Sequence, residues 1–490
     1  MINLDISEKS ESPDWNSRAG QTTGCDTGWQ RADVRCIEEQ ERTHMARPTP
    51  ISGFPEWLPH ERMIEQHILD TIRNTFELHG FAPVETRAVE PLDQLLRKGE
   101  TDKEIYVLRR LQAEEDDSEE SVGLGLHFDL TVPFARYVLE NAGKLQFPLR
   151  RYQIQKVWRG ERPQEGRFRE FYQADIDVIG KDRLPFHYEV EMPLVVADAL
   201  ARLPIPPIRI QANNRKIAEG FYRGLGIEDV TGVLRAVDKL DKIGPEQVHT
   251  LLVEQIGCTD EQARACLALA RISAEDGSFA DRVHELGAKD ELLDEGLEEL
   301  TRVVEAAREH APGLLVADLR IARGLDYYTG TVYETQLRGH ESLGSICSGG
   351  RYDNLASTED ETYPGVGISI GVTRLVSRLL GQNLLTVSRK VPTCVLVALP
   401  NEEARADCYR IAAALRRRGI AAEVAPEAVK YGKQIRFAER RGIPYVWFPQ
   451  GESGGQEVRD IRSGEQRPAD PDTWTPPAED LYPLVTATGQ

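Results

Sequence analysis

The sequence predicts an α+β protein: an antiparallel sheet with flanking helices, a helical insertion, and a C-terminal α/β domain. Three observations predict it. First, "RRYQIQKVWRG" and "RFREFYQADIDVIG" alternate polar and apolar residues on either side of a Gly/Pro-containing loop. That is the pattern of an antiparallel hairpin with one face on a core. Second, from about 186 to 310 the chain reads as amphipathic helical pieces such as "VEMPLVVADALARL" and "EQARACLALARI". Third, after Lys390 short strand and helix patterns alternate, as in an α/β unit.

The elements follow in chain order. Residues 1–48 are polar with little periodicity and read as a disordered extension, with Met45 as a candidate translation start. Ile64, Ile68, Ile72 and Phe76 recur every four residues, one face of a helix that Gly80 stops. "FAPVETRAVEP" reads as a strand with Pro83 near a sheet edge. "LQAEEDDSEESVG" reads as a solvated acidic loop. "LHFDLTVPFARYVLE" is strand then helix, and the hairpin follows. The expected domains are a first part of the sheet core at 49–211, the helical insertion at 212–312, a second part of that core at 313–388, the α/β domain at 391–470 and an irregular tail at 471–490.

Bulk properties narrow the function. The 490-residue chain carries a net charge of −20, which argues against polyanion binding over the whole surface. Its seven cysteines are scattered without a CxxC pair, against structural zinc or a disulfide framework. No apolar run approaches a membrane span, and the N-terminus has no secretory h-region, so a cytoplasmic location is expected. There is no GxGxxG and no GxxxxGK[ST], against Rossmann and P-loop readings.

Against that acidic background, "RGERPQEGRFREFYQAD" packs four arginines among three glutamates. Guanidinium forks match phosphate oxygens. Alternation puts Arg167, Arg169, Phe171, Gln173, Asp175 and Asp177 on one face; a solvated, salt-bridged strand face explains the pattern about as well. In "RIARGLDYYTGTVYE", Tyr327 and Tyr328 point to opposite sides if extended, so at most one faces a pocket squarely while the other leans in or packs; ordinary sheet aromatics are the plainer reading. Gly349 and Gly350 of "SICSGGRYDNL" admit a ligand or another strand. "GVGISIGVTRL" runs a glycine-rich strand into a helix whose first turn carries Arg374, a combination that favours phosphate.

Together these blocks resemble the class II aminoacyl-tRNA synthetases, and among them the histidyl-tRNA synthetases, over about residues 50 to 470. "FELHGFAPVETRAVEP", "RGERPQEGRFREFYQADIDVIG" and "GVGISIGVTRL" resemble motifs 1, 2 and 3. "RGLDYYTGTVYE" and "GGRYDNL" resemble the histidine-specific blocks, "LHFDLTVPFARY" the substrate loop, and "KYGKQIRFAERRGIPYVW" the anticodon-binding domain. The resemblance implies an enzyme that activates L-histidine with ATP and transfers it to the 3' end of tRNA(His). It implies Arg159 and Arg323 as catalytic residues bridging the α-phosphate and the amino-acid carboxylate. Arg167 and Arg374 would hold the outer phosphates, and Phe171 would stack on adenine. Asp129, Thr131 and Gln173 would take the α-amino group, Asp177 and Tyr328 the imidazole, with Tyr327 beside them. Gln164 and Arg169 would approach the tRNA acceptor end. Mg²⁺ as phosphate counter-charge and a homodimer are also implied. His127, Asp129 and Asp177 depart from residues that some relatives carry there.

Local charge agrees with a tRNA partner. Residues 150–169 hold seven Lys/Arg against two acids, and residues 411–441 eight against three. The competing readings are a histidine-sensing regulatory subunit of ATP phosphoribosyltransferase, a tRNA-independent amino-acid ligase, and a specialised duplicate synthetase. The intact "RGLDYYTG" block and the C-terminal domain count against the first, and that domain's basic segment against the second.

Overall fold

The hairpin is the centre of the architecture. Strands Leu149–Trp158 and Glu170–Ile179 pair antiparallel with Arg151 opposite Asp177, Gln153 opposite Asp175 and Gln155 opposite Gln173. In this computed structural model, residues 48–96, 104–110, 123–163, 166–321, 327–451 and 454–488 are described. Residues 1–47 of the expected disordered extension, Met45 among them, lie outside the described residues. So do nearly all of the acidic stretch after Leu111, and Gln164, Arg323 and Gly324.

Around the hairpin a nine-stranded sheet runs in the order Ala82–Pro83, Leu149–Trp158, Glu170–Ile179, Gly365–Gly371, Cys347–Tyr352, Thr331–Leu337, Ile208–Asn214, Leu315–Asp318, Ser273–Ala274. It is antiparallel except where Ala82–Pro83 meets Leu149–Trp158 and where Ile208–Asn214 meets Leu315–Asp318. Pro83, which has no N–H to give a ladder, sits on the outermost strand as expected.

One sheet face is apolar for a simple reason: residues two apart share a face. Ala174, Ile176 and Val178 of the hairpin join Ile368 and Ile370 of the neighbouring strand in the main core. Helix Pro59–Leu78 adds the four-residue stripe Ile64, Ile68, Ile72 and Phe76, all buried, and Gly80 follows it at φ +77°. Helix His187–Ala201 adds Met192, Val195 and Val196.

The glycine pair at 349–350 resolves one open alternative. A Cβ on Gly349 would lie 2.2 Å from the Gly367 carbonyl, and one on Gly350 3.0 Å from the Tyr328 ring. The missing side chains therefore admit a neighbouring strand and an aromatic ring rather than a ligand.

The insertion is helical as expected, from Arg215–Gly224 to Glu291–His310. These two helices approach backbone to backbone at Gly220, where a Cβ would come within 2.3 Å of the Leu293 nitrogen. Its apolar residues, among them Phe221, Leu252, Phe279 and Leu300, run continuously into the sheet's core. The sheet strand Ile208–Asn214 extends three residues past the expected boundary at 211.

The C-terminal domain has its own core around Leu396, Leu415, Val446 and Trp447. Its strands run in the order Ala422–Val424, Val395–Val397, Tyr445–Phe448, Glu457–Asp460, Gln466–Pro468, the first three parallel. Helices Arg405–Arg417 and Tyr431–Arg441 supply the alternation read from the sequence. The tail corrects an expectation: 471–488 is not irregular throughout. It forms helix Ala478–Leu481 and strand Val485–Ala487, which pairs antiparallel with Leu385–Val387. Pro and Asp residues masked this, because the strand has only one short partner and no alternating pattern of useful length.

Arg389 ties that tail down. Its buried guanidinium donates to the carbonyls of Asp480 (2.7 Å), Leu481 (3.1 Å), Pro392 (3.1 Å) and, from Nε, Val391 (3.2 Å). Arg389→Ala strands these acceptors, so it is expected to cost about 3 kcal/mol. Urea unfolding followed through tryptophan fluorescence measures this; a cost below about 0.5 kcal/mol contradicts the account.

Candidate active site

On the sheet's other face, the hairpin and strands Cys347–Tyr352 and Gly365–Gly371 wall two adjoining chambers. The larger, about 290 Å³, is lined by Arg159, Arg167, Phe171, Glu161, Glu334 and Arg374, among others. The smaller, about 90 Å³, is lined by Asp129, Thr131, Asp175, Asp177, Tyr327 and Tyr328, among others. Arg159, Gln173, Ser348 and Ser369 belong to both. Cations therefore crowd one side and acids the other, with Arg159 at the junction.

Each side chain is held by its element. Arg159 follows the first hairpin strand; its Nε donates to the Phe128 carbonyl at 3.0 Å and its guanidinium lies 5.2 Å from the Phe171 ring centre. Arg167 is half-exposed and donates to Glu161 at 3.2 Å. Arg374 stands in the first turn of helix Val372–Gly381, and Gly371 at its N-cap also lines the large chamber. Positive helix end and guanidinium thus face the same space. Asp129 accepts the Val132 N–H at 3.1 Å just ahead of helix Thr131–Asn141, which fixes the start of that helix against the small chamber.

The floor of the small chamber is a buried ion pair. Arg151, fully buried, meets Asp177 at 2.7 Å, directly across the hairpin. Tyr352 donates its hydroxyl to the other Asp177 oxygen at 2.7 Å. A Cβ on Gly367 would fall 2.0 Å from that oxygen, so only glycine there leaves Asp177 its position. Burial pushes the Tyr352 hydroxyl well above the usual tyrosine range, so it stays a donor. Behind the wall, Glu189 binds Arg351 at 2.8 Å and Thr331 Oγ1 at 2.6 Å, tying helix to strands.

Asp175 differs from its neighbour. Burial pushes its carboxyl up to about 7; Arg151 opposes the shift and Asp177 adds to it. His127 is also buried. Its Nε2–H donates to the Lys156 carbonyl at 2.7 Å and its ring stacks on Trp158 at 5.5 Å. Burial holds its pKa below the usual histidine range, so it props the wall as a neutral ring.

The expected site residues mostly meet here. Arg159, Arg167, Phe171, Gln173 and Arg374 line the large chamber, and Asp129, Thr131, Asp177, Tyr327 and Tyr328 the small one. The two tyrosines sit together: their ring centres lie 4.1 Å apart with the planes tilted by 41°, and both line the small chamber. Arg169 lines neither; its Nε donates to the Glu161 carbonyl at 3.1 Å. Arg323 and Gln164 lie outside the described residues. Arg151, Asp175 and Tyr352 were missed. Alternation had put Asp175 on the polar face, and the hairpin register names Arg151 as the partner of Asp177 once the turn is counted.

This site and its frame match known proteins. The description "Histidyl-tRNA synthetase" matches residues 53–375, and "Anticodon binding domain" matches 393–472. The chain belongs to the histidyl-tRNA synthetase family. The histidine–tRNA ligase of Micrococcus luteus is 61% identical over 90% of this chain and 99% of its own. The crystal structure of histidyl-tRNA synthetase from Nostoc sp. PCC 7120 superposes with a TM-score of 0.77 at 37% identity, covering 86% of this chain and 97% of that one. A Bacillus halodurans structure titled as an ATP phosphoribosyltransferase regulatory subunit/histidyl-tRNA synthetase shares the fold at TM-score 0.67 and 20% identity, covering 81% of this chain and 97% of that one.

The raised Asp175 carboxyl has a sign. The folded state holds this proton from about pH 4 to about 7 while the unfolded chain releases it. The stability it contributes is complete below about pH 4 and is lost as pH rises through about 7. Asp175→Asn is therefore expected to stabilise the protein relative to wild type at pH 8, by up to about 4 kcal/mol, with the gap closing toward pH 4. Urea midpoints at both pH values measure it; a gap that does not narrow at low pH contradicts it.

Proposed function

We infer that the chain is a histidine–tRNA ligase whose two chambers hold ATP and histidine side by side. The observation that carries this is the shared wall: Arg159, Gln173, Ser348 and Ser369 border both spaces. A carboxylate in the acidic chamber can then reach an α-phosphate in the cationic one.

The histidine carboxylate attacks the α-phosphorus of ATP, pyrophosphate leaves, and histidyl-adenylate forms. The ribose hydroxyl at the tRNA 3' end then attacks the acyl carbon, and AMP leaves. No protein nucleophile is needed, so catalysis is positioning and charge stabilisation at phosphorus. Arg159 and Arg323 bridge carboxylate and α-phosphate. Arg167 and Arg374 hold the outer phosphates, and Phe171 stacks on adenine. Asp129, Thr131 and Gln173 take the α-amino group. Asp177 and Tyr328 take the imidazole, with Tyr327 packed on Tyr328. A site that hydrogen-bonds both ring nitrogens rejects analogues lacking them by as much as roughly 10⁴-fold.

Mg²⁺ fits as the counter-charge carried in with ATP, because such ions need only one or two protein carboxylates beside phosphate oxygens. Glu334 and Glu161, both lining the large chamber, would hold it, and it would supply positive charge beside the outer phosphates. Gln164 and Arg169 approach the acceptor end of tRNA(His). Exposed Lys430, Lys433 and Arg436, at the start of helix Tyr431–Arg441, contact the anticodon arm. The enzyme works as a cytoplasmic homodimer. Among the described residues no helix is long and apolar enough to cross a membrane.

ATP–pyrophosphate exchange across the twenty amino acids, followed by charging of total tRNA, tests the reading. Histidine alone is expected to support exchange, and Arg159→Ala to lower it by about 10²–10³-fold, the scale of one lost transition-state contact. Exchange driven equally by another amino acid contradicts the assignment. Deleting residues 391–490 is expected to impair charging more than exchange; equal loss contradicts a role confined to tRNA.

A further inference from the structure

One acidic side chain in the small chamber has no role in the mechanism above. Asp175 stands between Gln173 and Asp177 on the same strand face and lines the chamber with both. It is 3% exposed, and its Oδ1 has no hydrogen-bond partner among the described residues. Gln173 shares this feature. It is 8% exposed, its Nε2 donates to Ser369 Oγ at 2.6 Å, and its Oε1 has no partner. Two adjacent buried acceptors without donors are rare in a folded protein, and a ligand bringing N–H groups accounts for them. Asp177 is occupied differently, by Arg151 and Tyr352.

Histidine offers two sets of N–H donors, the α-ammonium and the ring. Position along the strand separates them. Arg159 and Gln173 border both chambers, so the amino-acid carboxylate lies at their end. The ammonium is on the same carbon as that carboxylate. Asp175 is the next residue of the face inward from Gln173, while Asp177 is one step further, at the end away from the junction. Across the chamber Asp129 presents a third acceptor from the head of helix Thr131–Asn141.

We propose that Asp175 is a substrate-contacting specificity residue that, with Gln173 and Asp129, binds the α-ammonium of histidine. This rests on the small chamber being the histidine site. Three acceptors then meet three N–H donors, and a buried carboxylate meets a cation where the low local dielectric strengthens such bonds.

The assignment carries a proton. Burial holds the empty-site carboxyl at about 7. The groups facing it are Arg151 from the first hairpin strand, Asp177 on its own strand, Asp129 from the segment before the helix, and Ser369 from the strand beside it. Cys347 and Tyr327 face it from the remaining walls. An arriving ammonium favours the carboxylate. The O–H bond of Asp175 breaks, its electron pair stays on the oxygen, and the proton goes to solvent. Histidine binding near pH 7 therefore releases a proton that comes from the enzyme.

Isothermal titration of the full-length chain tests this with two probes. Histidinol keeps ammonium and ring but lacks the carboxylate; imidazolepropionate keeps ring and carboxylate but lacks the ammonium. Asp175→Asn is expected to weaken histidinol about tenfold, the worth of one charge-assisted bond, and imidazolepropionate less than about twofold. Titrations at pH 7 in buffers of different ionisation enthalpy are expected to show proton release with histidinol for wild type and none for Asp175→Asn. ATP binding by the variant reports that it is folded. Unchanged histidinol affinity, equal loss of both probes, or the same proton release from both proteins overturns the proposal. A wild type that binds neither probe instead removes the histidine reading on which it rests.

Discussion

The arrangement depends on one contact, the buried ion pair between Arg151 and Asp177. It joins directly opposed residues of the hairpin, both almost wholly excluded from water. An unpaired charge at that depth is costly, so the pair is viable only with partners for the remaining polar atoms. Tyr352 supplies one, from a strand two places along the sheet. Gly367 makes room on the strand between them. The same register that pairs 151 with 177 pairs 153 with 175 and 155 with 173, and so stacks a ladder of polar groups into a wall. A slip of one residue would turn that wall into the core.

Chemistry follows from where the wall ends. Toward the hairpin loop it meets Arg159 and Phe171, then Arg374 at a helix start, and the space becomes cationic. Toward the sheet interior it meets Asp129, Asp175 and Asp177, and the space becomes acidic. A single strand face thus separates a polyphosphate from an amino acid and leaves one arginine touching both. That division explains how a chain of net charge −20 can still handle ATP: the cations are concentrated, not numerous.

Much of this was legible in the residues. Period-two alternation gave the hairpin and the membership of its polar face, and period-four recurrence gave helix Pro59–Leu78. The motif blocks gave the family and most of the chamber residues. Other features were hidden for physical reasons. Alternation says which residues share a face but not which lie opposite, so Arg151 had no evident partner. A polar face looks the same whether water or protein covers it, so the burial of Asp175 was invisible. Alternation alone did not say how the second tyrosine packs; the structure sets its ring against the first. The tail's strand is three residues long, too short to show a period.

The most direct test of the account is the Michaelis constant of each substrate in pyrophosphate exchange by Arg151→Met, in protein shown to be folded by circular dichroism. Arg151 touches neither chamber's contents, yet it fixes Asp177. The account expects the histidine constant to rise by about tenfold or more while the ATP constant changes less than about twofold. An unchanged histidine constant, or equal changes in both, would contradict it.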